Sequence, residues 1–274
     1  MYNALQAKLG KRASHGLQFL ATYTWSHAMD DSSDPLNGGV GYRAPNIVPI
    51  IDEYTNSSQD VRNHFTLNGN YQLPYGIGRT YGNHPGVLNE IAGGWSLSGM
   101  FVAQSGQPFS VSPNNTGVVG PAGRNAYLVG DPFAAGGTAD ASLNGTACAT
   151  ATRNRTHWYN PCAFSNPLAG NTVAKGTFIT GEAAALPYLG GRSNLVYGPG
   201  YNRVNVSLFK RLTTFREQYL EFRADAFNLL NHPTWANPSI QNDNTNGGKI
   251  TAPKTLQSYA PDARFFQLSA KYAF

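Results

Sequence analysis

Residues 16–27 read GLQFLATYTWSH, and the parity of this stretch decides the fold. Its odd positions are Leu17, Phe19, Ala21, Tyr23 and Trp25; its even ones are Gln18, Leu20, Thr22, Thr24 and Ser26. A period of two over such a run means a strand with one apolar and one largely polar face. Six further segments repeat it. In 3–11, Leu5, Ala7 and Leu9 oppose Gln6 and Lys8. In 61–73, Phe65, Leu67, Gly69, Tyr71 and Leu73 oppose Thr66, Asn68, Asn70 and Gln72. In 94–104, Trp95, Leu97, Gly99, Phe101 and Ala103 oppose Ser96, Ser98, Met100, Val102 and Gln104, so Met100 and Val102 break the polar face. In 201–211, Val204, Val206 and Leu208 oppose Arg203, Asn205 and Ser207. In 218–229, Leu220, Phe222, Ala224 and Ala226 oppose Glu221, Arg223 and Asp225. In 264–274, Phe266, Leu268, Ala270, Tyr272 and Phe274 oppose Gln267, Ser269 and Lys271.

Soluble strands average about five or six residues, whereas a tilted strand needs about 9–11 to cross a bilayer. The seven segments match the longer class. The connections, about 5, 30, 20, 95, 6 and 34 residues in turn, alternate short and long, as in outer-membrane barrels with short periplasmic turns and long outer loops. Tyr71, Tyr75, Trp95, Tyr272 and Phe274 fall at the short-turn end, and Tyr23 and Trp25 at the other, as two aromatic girdles would. The expected fold is all-β: a transmembrane antiparallel β-barrel segment of about seven strands in meander order, with long extracellular loops. Residues 106–200 form the longest of these, a long extracellular insertion.

Composition agrees. Gly (30) and Pro (17) are too frequent for a helical bundle, and charged residues are only 13%. A net charge of +5, thinly scattered, argues against a nucleic-acid partner. No apolar run is long enough for a membrane-spanning helix. The first residues, MYNALQAKLGKRASHG, contain no apolar signal-peptide core. Counting back from a last strand that runs into the periplasm, seven strands put Met1 outside, whereas barrel chains begin and end in the periplasm. The expectation is that 1–274 is the C-terminal part of a larger outer-membrane β-barrel domain, and an open sheet when taken alone.

Few residues carry chemistry. Cys148 and Cys162 both lie in the 106–200 loop, where an oxidising exterior favours a disulfide. A metal site would need more ligands than nearby His157, and two free thiols are the remaining alternative. Asp30, Asp31 and Asp34 with Asn37 have the oxygen density for Ca²⁺, but not the spacing of a calcium loop; a solvated turn accounts for them better. The six histidines (His15, His27, His64, His84, His157, His232) stand singly. Gly190-Gly191-Arg192 and Gly198-Pro199-Gly200 read as turns, not phosphate cradles. Glu221, Arg223 and Asp225 suggest paired carboxylates, but with Arg223 between them a charge ladder on the barrel lumen is simpler. Facing lipid, such charges would cost about 2–4 kcal/mol near midplane, so they are expected to face the lumen, with Arg203, Lys8 and Lys271. No catalytic set, cofactor motif or metal cluster emerges, and the chain reads as a non-enzyme.

The stretches YNALQAKLGKRASHGLQFLATYTWSHAMDDSS (2–33), DVRNHFTLNGNYQLPYG (60–76), GGWSLSGMFVAQSGQPFSV (93–111), NRVNVSLFKRL (202–212) and YLEFRADAFNLLNHPTWANP (219–238) together resemble the C-terminal barrel half of TonB-dependent receptors of the Oar-like group. The resemblance implies a barrel of about 22 strands, of which these would be the last seven. It implies a plug, a regulatory-like β-sandwich and further barrel strands on a preceding part of the chain. It also implies a Gram-negative outer membrane, lipid around the wall, and solute uptake driven through a TonB-type energy-coupling complex. Phe266, Leu268, Ala270, Tyr272 and terminal Phe274 resemble the last-strand signal read by the barrel-assembly machinery. A competing reading from the residues is a secreted or surface β-sandwich that binds glycan or protein. Burial of Trp25, Phe101, Phe222 and Phe266 between two sheets would mark it.

Overall fold

A computed structural model describes residues 1–31, 54–83, 86–113, 125–139, 141–166, 191–213, 218–254 and 263–274. Seven long strands dominate: β1 (Tyr2–Ser14), β2 (Leu17–Asp30), β3 (Asn63–Gln72), β4 (Trp95–Gln104), β5 (Tyr201–Thr213), β6 (Tyr219–Phe227) and β7 (Phe265–Ala273). Each pairs antiparallel with its sequence neighbours, so the sheet is a meander from β1 to β7 with both edges open. A two-residue strand, Thr55–Asn56, adds to the outer end of β2. A short helix, α1 (Val87–Ala92), sits in the β3–β4 connection.

Local chemistry explains the tightest turn. His15 (φ 52°) and Gly16 (φ 78°) both adopt positive φ, the requirement of a two-residue hairpin whose twist matches its strands. Gly16 is needed for a second reason: a Cβ there would meet the Gln72 carbonyl oxygen at 2.9 Å.

The register carries both faces through the sheet from strand to strand. Ser207 lies opposite Ser98 and Asp225, Ser98 opposite Asn70, and Asn70 opposite Gln18. On the other side, Leu208 lies opposite Leu97 and Ala224, and Ala224 opposite Leu268. The sheet curves around the polar side: a cleft of about 610 Å³ spans Gln18, Asn68, Asn70, Ser98, Asn205 and Arg223. Among the described residues no second sheet covers the apolar side. Trp25, Phe101, Phe222 and Phe266 lie there unburied, which rules out the sandwich reading. Among the described residues, no buried hydrophobic side chain belongs to the seven strands.

The core sits instead at the rim of the long connections. Phe109, Val111, Ala126, Tyr159, Ala163, Phe164 and Val196 pack together, with Phe133 and Trp158 against them. This cap comes from the β4–β5 connection, through two small pairings: Pro108–Phe109 with Val196–Tyr197, and Tyr127–Leu128 with Phe164–Ser165. Gly198-Pro199-Gly200, read as a turn, is instead an irregular link between the Val196–Tyr197 pairing and β5. It packs closely on the other side of the connection: a Cβ on Gly106 would fall 1.9 Å from the Gly198 oxygen.

Candidate functional site

Two regions hold polar side chains in defined geometry: the concave face of the sheet and the cap at its long-connection rim. On the concave face the structure collects Arg203, Glu221, Arg223, Asp225 and Lys271, all in matching register, with Lys8 further along the sheet. Arg223 Nε pairs with Asp225 Oδ1 at 2.8 Å, and Ser207 donates to the same carboxylate. Arg211 Nε pairs with Glu221 Oε2 at 2.6 Å. The two carboxylates are thus each held by a guanidinium, which suits a wall charge ladder and leaves no acid–base couple of the glycosidase kind. Met100 and Val102 share this concave face.

The apolar side carries the C-terminal stripe. Phe266, Leu268, Ala270, Tyr272 and Phe274 all stand exposed on it. A buried cation interrupts this side: Lys210 lies opposite Trp95 and Phe222, its ammonium donating to a carbonyl at the end of α1.

In the cap, Cys148 and Cys162 are joined by a disulfide with Cα atoms 5.2 Å apart. Beside it, Asn160 is almost wholly buried and uses its whole amide. Its Oδ1 accepts from Ala149 N (3.0 Å) and Cys162 N (3.1 Å), while its Nδ2 donates to the Ala134 (2.9 Å) and Gly136 (2.7 Å) carbonyls. The staple and this amide organise one lobe around Leu143 and Ala149, both fully buried.

The cap is fused to the two neighbouring long connections. From the β2–β3 side, Thr55 Oγ1 donates to Ser193 O (2.7 Å), and Asn56 and Asn194 exchange amide-to-carbonyl bonds at 2.9 Å each way. Asp60, fully buried, accepts from Ala28 N (2.6 Å) and from the Tyr197 hydroxyl (2.7 Å), and pairs with Arg62 Nε (2.9 Å). Burial first, and the Asp60 carboxylate second, push the Tyr197 phenol up to about 12. From the β6–β7 side, Ser239 O accepts from the Tyr159 hydroxyl (3.0 Å), and Gly248 O accepts from Trp158 N (2.7 Å). Burial raises the Tyr159 phenol as well. Asn228 ends β6 in the left-handed region (φ 48°) and closes the following turn with Oδ1 and Nδ2 bonds to His232 N and O, 3.1 Å each.

The remaining candidates separate. Asp30 ends β2 and Asp31 follows it, whereas Asp34 and Asn37 lie outside the described residues, as do His84 and Gly190. Among the described residues no three His, Cys, Asp or Glu side chains gather as a metal site. His27 hydrogen-bonds Asn56 at 3.0 Å, and His15 the Ser14 hydroxyl at 2.9 Å. Sequence reasoning missed the Asp60–Arg62–Tyr197 cluster. Its one legible signal was a charged Asp-x-Arg immediately before an amphipathic strand.

An outer membrane beta barrel domain model matches residues 1–267. No curated protein and no solved structure matches the chain. Long strands, an uncovered apolar face, a concave polar face and a structured rim agree with that match: the chain belongs to the outer-membrane β-barrel domain family.

Proposed function

We propose that this chain supplies wall and outer loops to a TonB-dependent receptor of the Oar-like kind in a Gram-negative outer membrane, taking up a solute by energised transport. The observation that carries the reading is the joining of three long connections into one stapled cap on the same rim of a polar-lined wall. Such a cap presents a fixed surface at a mouth, as a receptor for a solute needs. The chain's part is structural and ligand-facing, with no catalytic step assigned to it.

The open edges of β1 and β7 support further partners. Unpaired backbone groups in hydrocarbon each cost several kcal/mol, so both edges must be covered by strands. On this reading they are further barrel strands of a longer receptor, whose plug contacts Arg203, Arg223 and Lys271 and engages a TonB-type energy-coupling complex. The β7 stripe ending at Phe274 serves the barrel-assembly machinery; deleting Phe274 should lower the assembled fraction on heat-modifiable gels, and Ser269→Asp should not.

The test is electrical. The full-length protein in a planar bilayer should be closed, and should conduct when urea unfolds the plug. A steady open conductance without urea would assign the protein to passive pores.

A further inference from the structure

The β3–β4 connection lies at the short-connection rim, and its described residues are folded on one another. Tyr81 N donates to Pro74 O and Gly76 N to Tyr81 O, both at 2.9 Å, and the Tyr75 and Tyr81 rings pack 5.5 Å apart. The unit ends in α1, whose last turn points back at the wall. Ile91 O accepts from Trp95 Nε1 at 2.9 Å and from Lys210 Nζ at 3.3 Å. Trp95 and Lys210 are register partners on the apolar face. The end of α1 therefore lies over the outward side of the wall, not beneath the barrel opening. It covers Lys210, a residue only 5% exposed, on a face that also holds Val206, Leu208 and Leu212. Val87 and Ile91, four residues apart and so on one helix face, remain 76% and 65% exposed. Tyr75, Ile77 and Tyr81 are exposed around them.

Through Ile91 this apolar patch adjoins the outward face of the wall at Trp95, in its aromatic rim, and so borders the same solvent. We propose that α1 is an interfacial anchor: it rests at the boundary of headgroups and acyl chains in the leaflet at the short-connection rim, with Val87 and Ile91 entering the phospholipid. Lys210 then reaches the α1 carbonyl without exposing its charge to hydrocarbon, its stem lying along the apolar wall. The inference rests on the membrane location of the wall and is independent of what the barrel carries.

The unaltered full-length protein is reconstituted in phosphatidylcholine–phosphatidylglycerol vesicles containing a phospholipid with a photoreactive diazirine in its acyl chain. After illumination, the peptide bearing Val87–Ala92 should be labelled as strongly as the one bearing Leu268, and at least about tenfold above the one bearing Cys162. Labelling at the Cys162 level overturns the proposal. Spin labels at Val87→Cys and Ile91→Cys, read separately, give a second measurement. Each should be reached by oxygen and shielded from a water-soluble nickel chelate. Ready access of nickel would put α1 in water, and shielding from both reagents would put it against protein; either result overturns the anchor.

Discussion

The wall leaves Leu5 and Leu9 65% and Leu268 82% exposed, whereas the cap buries Tyr159, Leu143 and Val196 completely. The two regions answer to different solvents. In the wall the second apolar layer is lipid, so the strands need only keep one face apolar and pair their backbones. In the cap the surroundings are water, so the chain must build its own core, with each large buried side chain contributing about 1.5–3 kcal/mol. The cap is too small to do this by burial alone, and the Cys148–Cys162 bond, the Asn160 amide and the Asp60 cluster supplement it. Charges follow the same division. The wall pairs Arg223 with Asp225 on its concave side, and the cap can bury Asp60 because Arg62, Tyr197 and the Ala28 amide surround it.

The contrast can be broken most strongly at Asp60. Asp60→Ala leaves Arg62 and Tyr197 without their shared acceptor and should destabilise the cap by about 3–5 kcal/mol. Limited proteolysis should then cut the long connections while heat-modifiable mobility reports an intact wall. Unchanged protease resistance would mean that the cap is not tied to the rim there. A wall substitution comes next. Leu208→Arg, facing lipid, should cost about 2–4 kcal/mol in urea titrations of vesicle-inserted protein, and Ser98→Arg, on the concave face, far less. Equal costs would reverse the assignment of faces. Removing the staple with Cys148→Ser and Cys162→Ser should cost the cap at most about 3 kcal/mol, the chain-entropy value for a loop of this length, and the wall nothing. The smallest effect is alkaline. With its phenol raised from 10 to about 12, Tyr197 binds its proton more tightly folded than unfolded. Its contribution is complete below pH 10 and is lost as pH rises toward 12. Proteolysis of the cap should accelerate over that window, and Tyr197→Phe should remove this component of the slope.

The seven strands were legible within a residue or two at most ends: 16–27 against Leu17–Asp30, and 94–104 against Trp95–Gln104. The two cysteines were legible as a pair. Lys210 was not. Its parity puts it on the apolar face, and contacts invisible in the sequence hold the cation there, among them the α1 carbonyl and the Trp95 ring. Asp60, Arg62 and Tyr197 were equally silent, because their meeting spans well over a hundred residues of chain without a repeating pattern.

Alternation of apolar and polar residues is a local property, and each strand takes its faces from its own pleat. The short connections leave few other partners within reach and so pair β1 with β2, β3 with β4 and β5 with β6. The regular alternation of short and long connections, as in a membrane barrel, orders these hairpins as a meander. The sequence by itself therefore determined the hairpins, their order and the two faces of the wall. Tertiary structure decided the rest. By holding the outer ends of β2 to β6 side by side, the sheet delivers irregular connections to one place. There Thr55 finds Ser193 and Tyr159 finds Ser239. Such contacts depend on where the wall releases each chain end, and no spacing along the sequence encodes that.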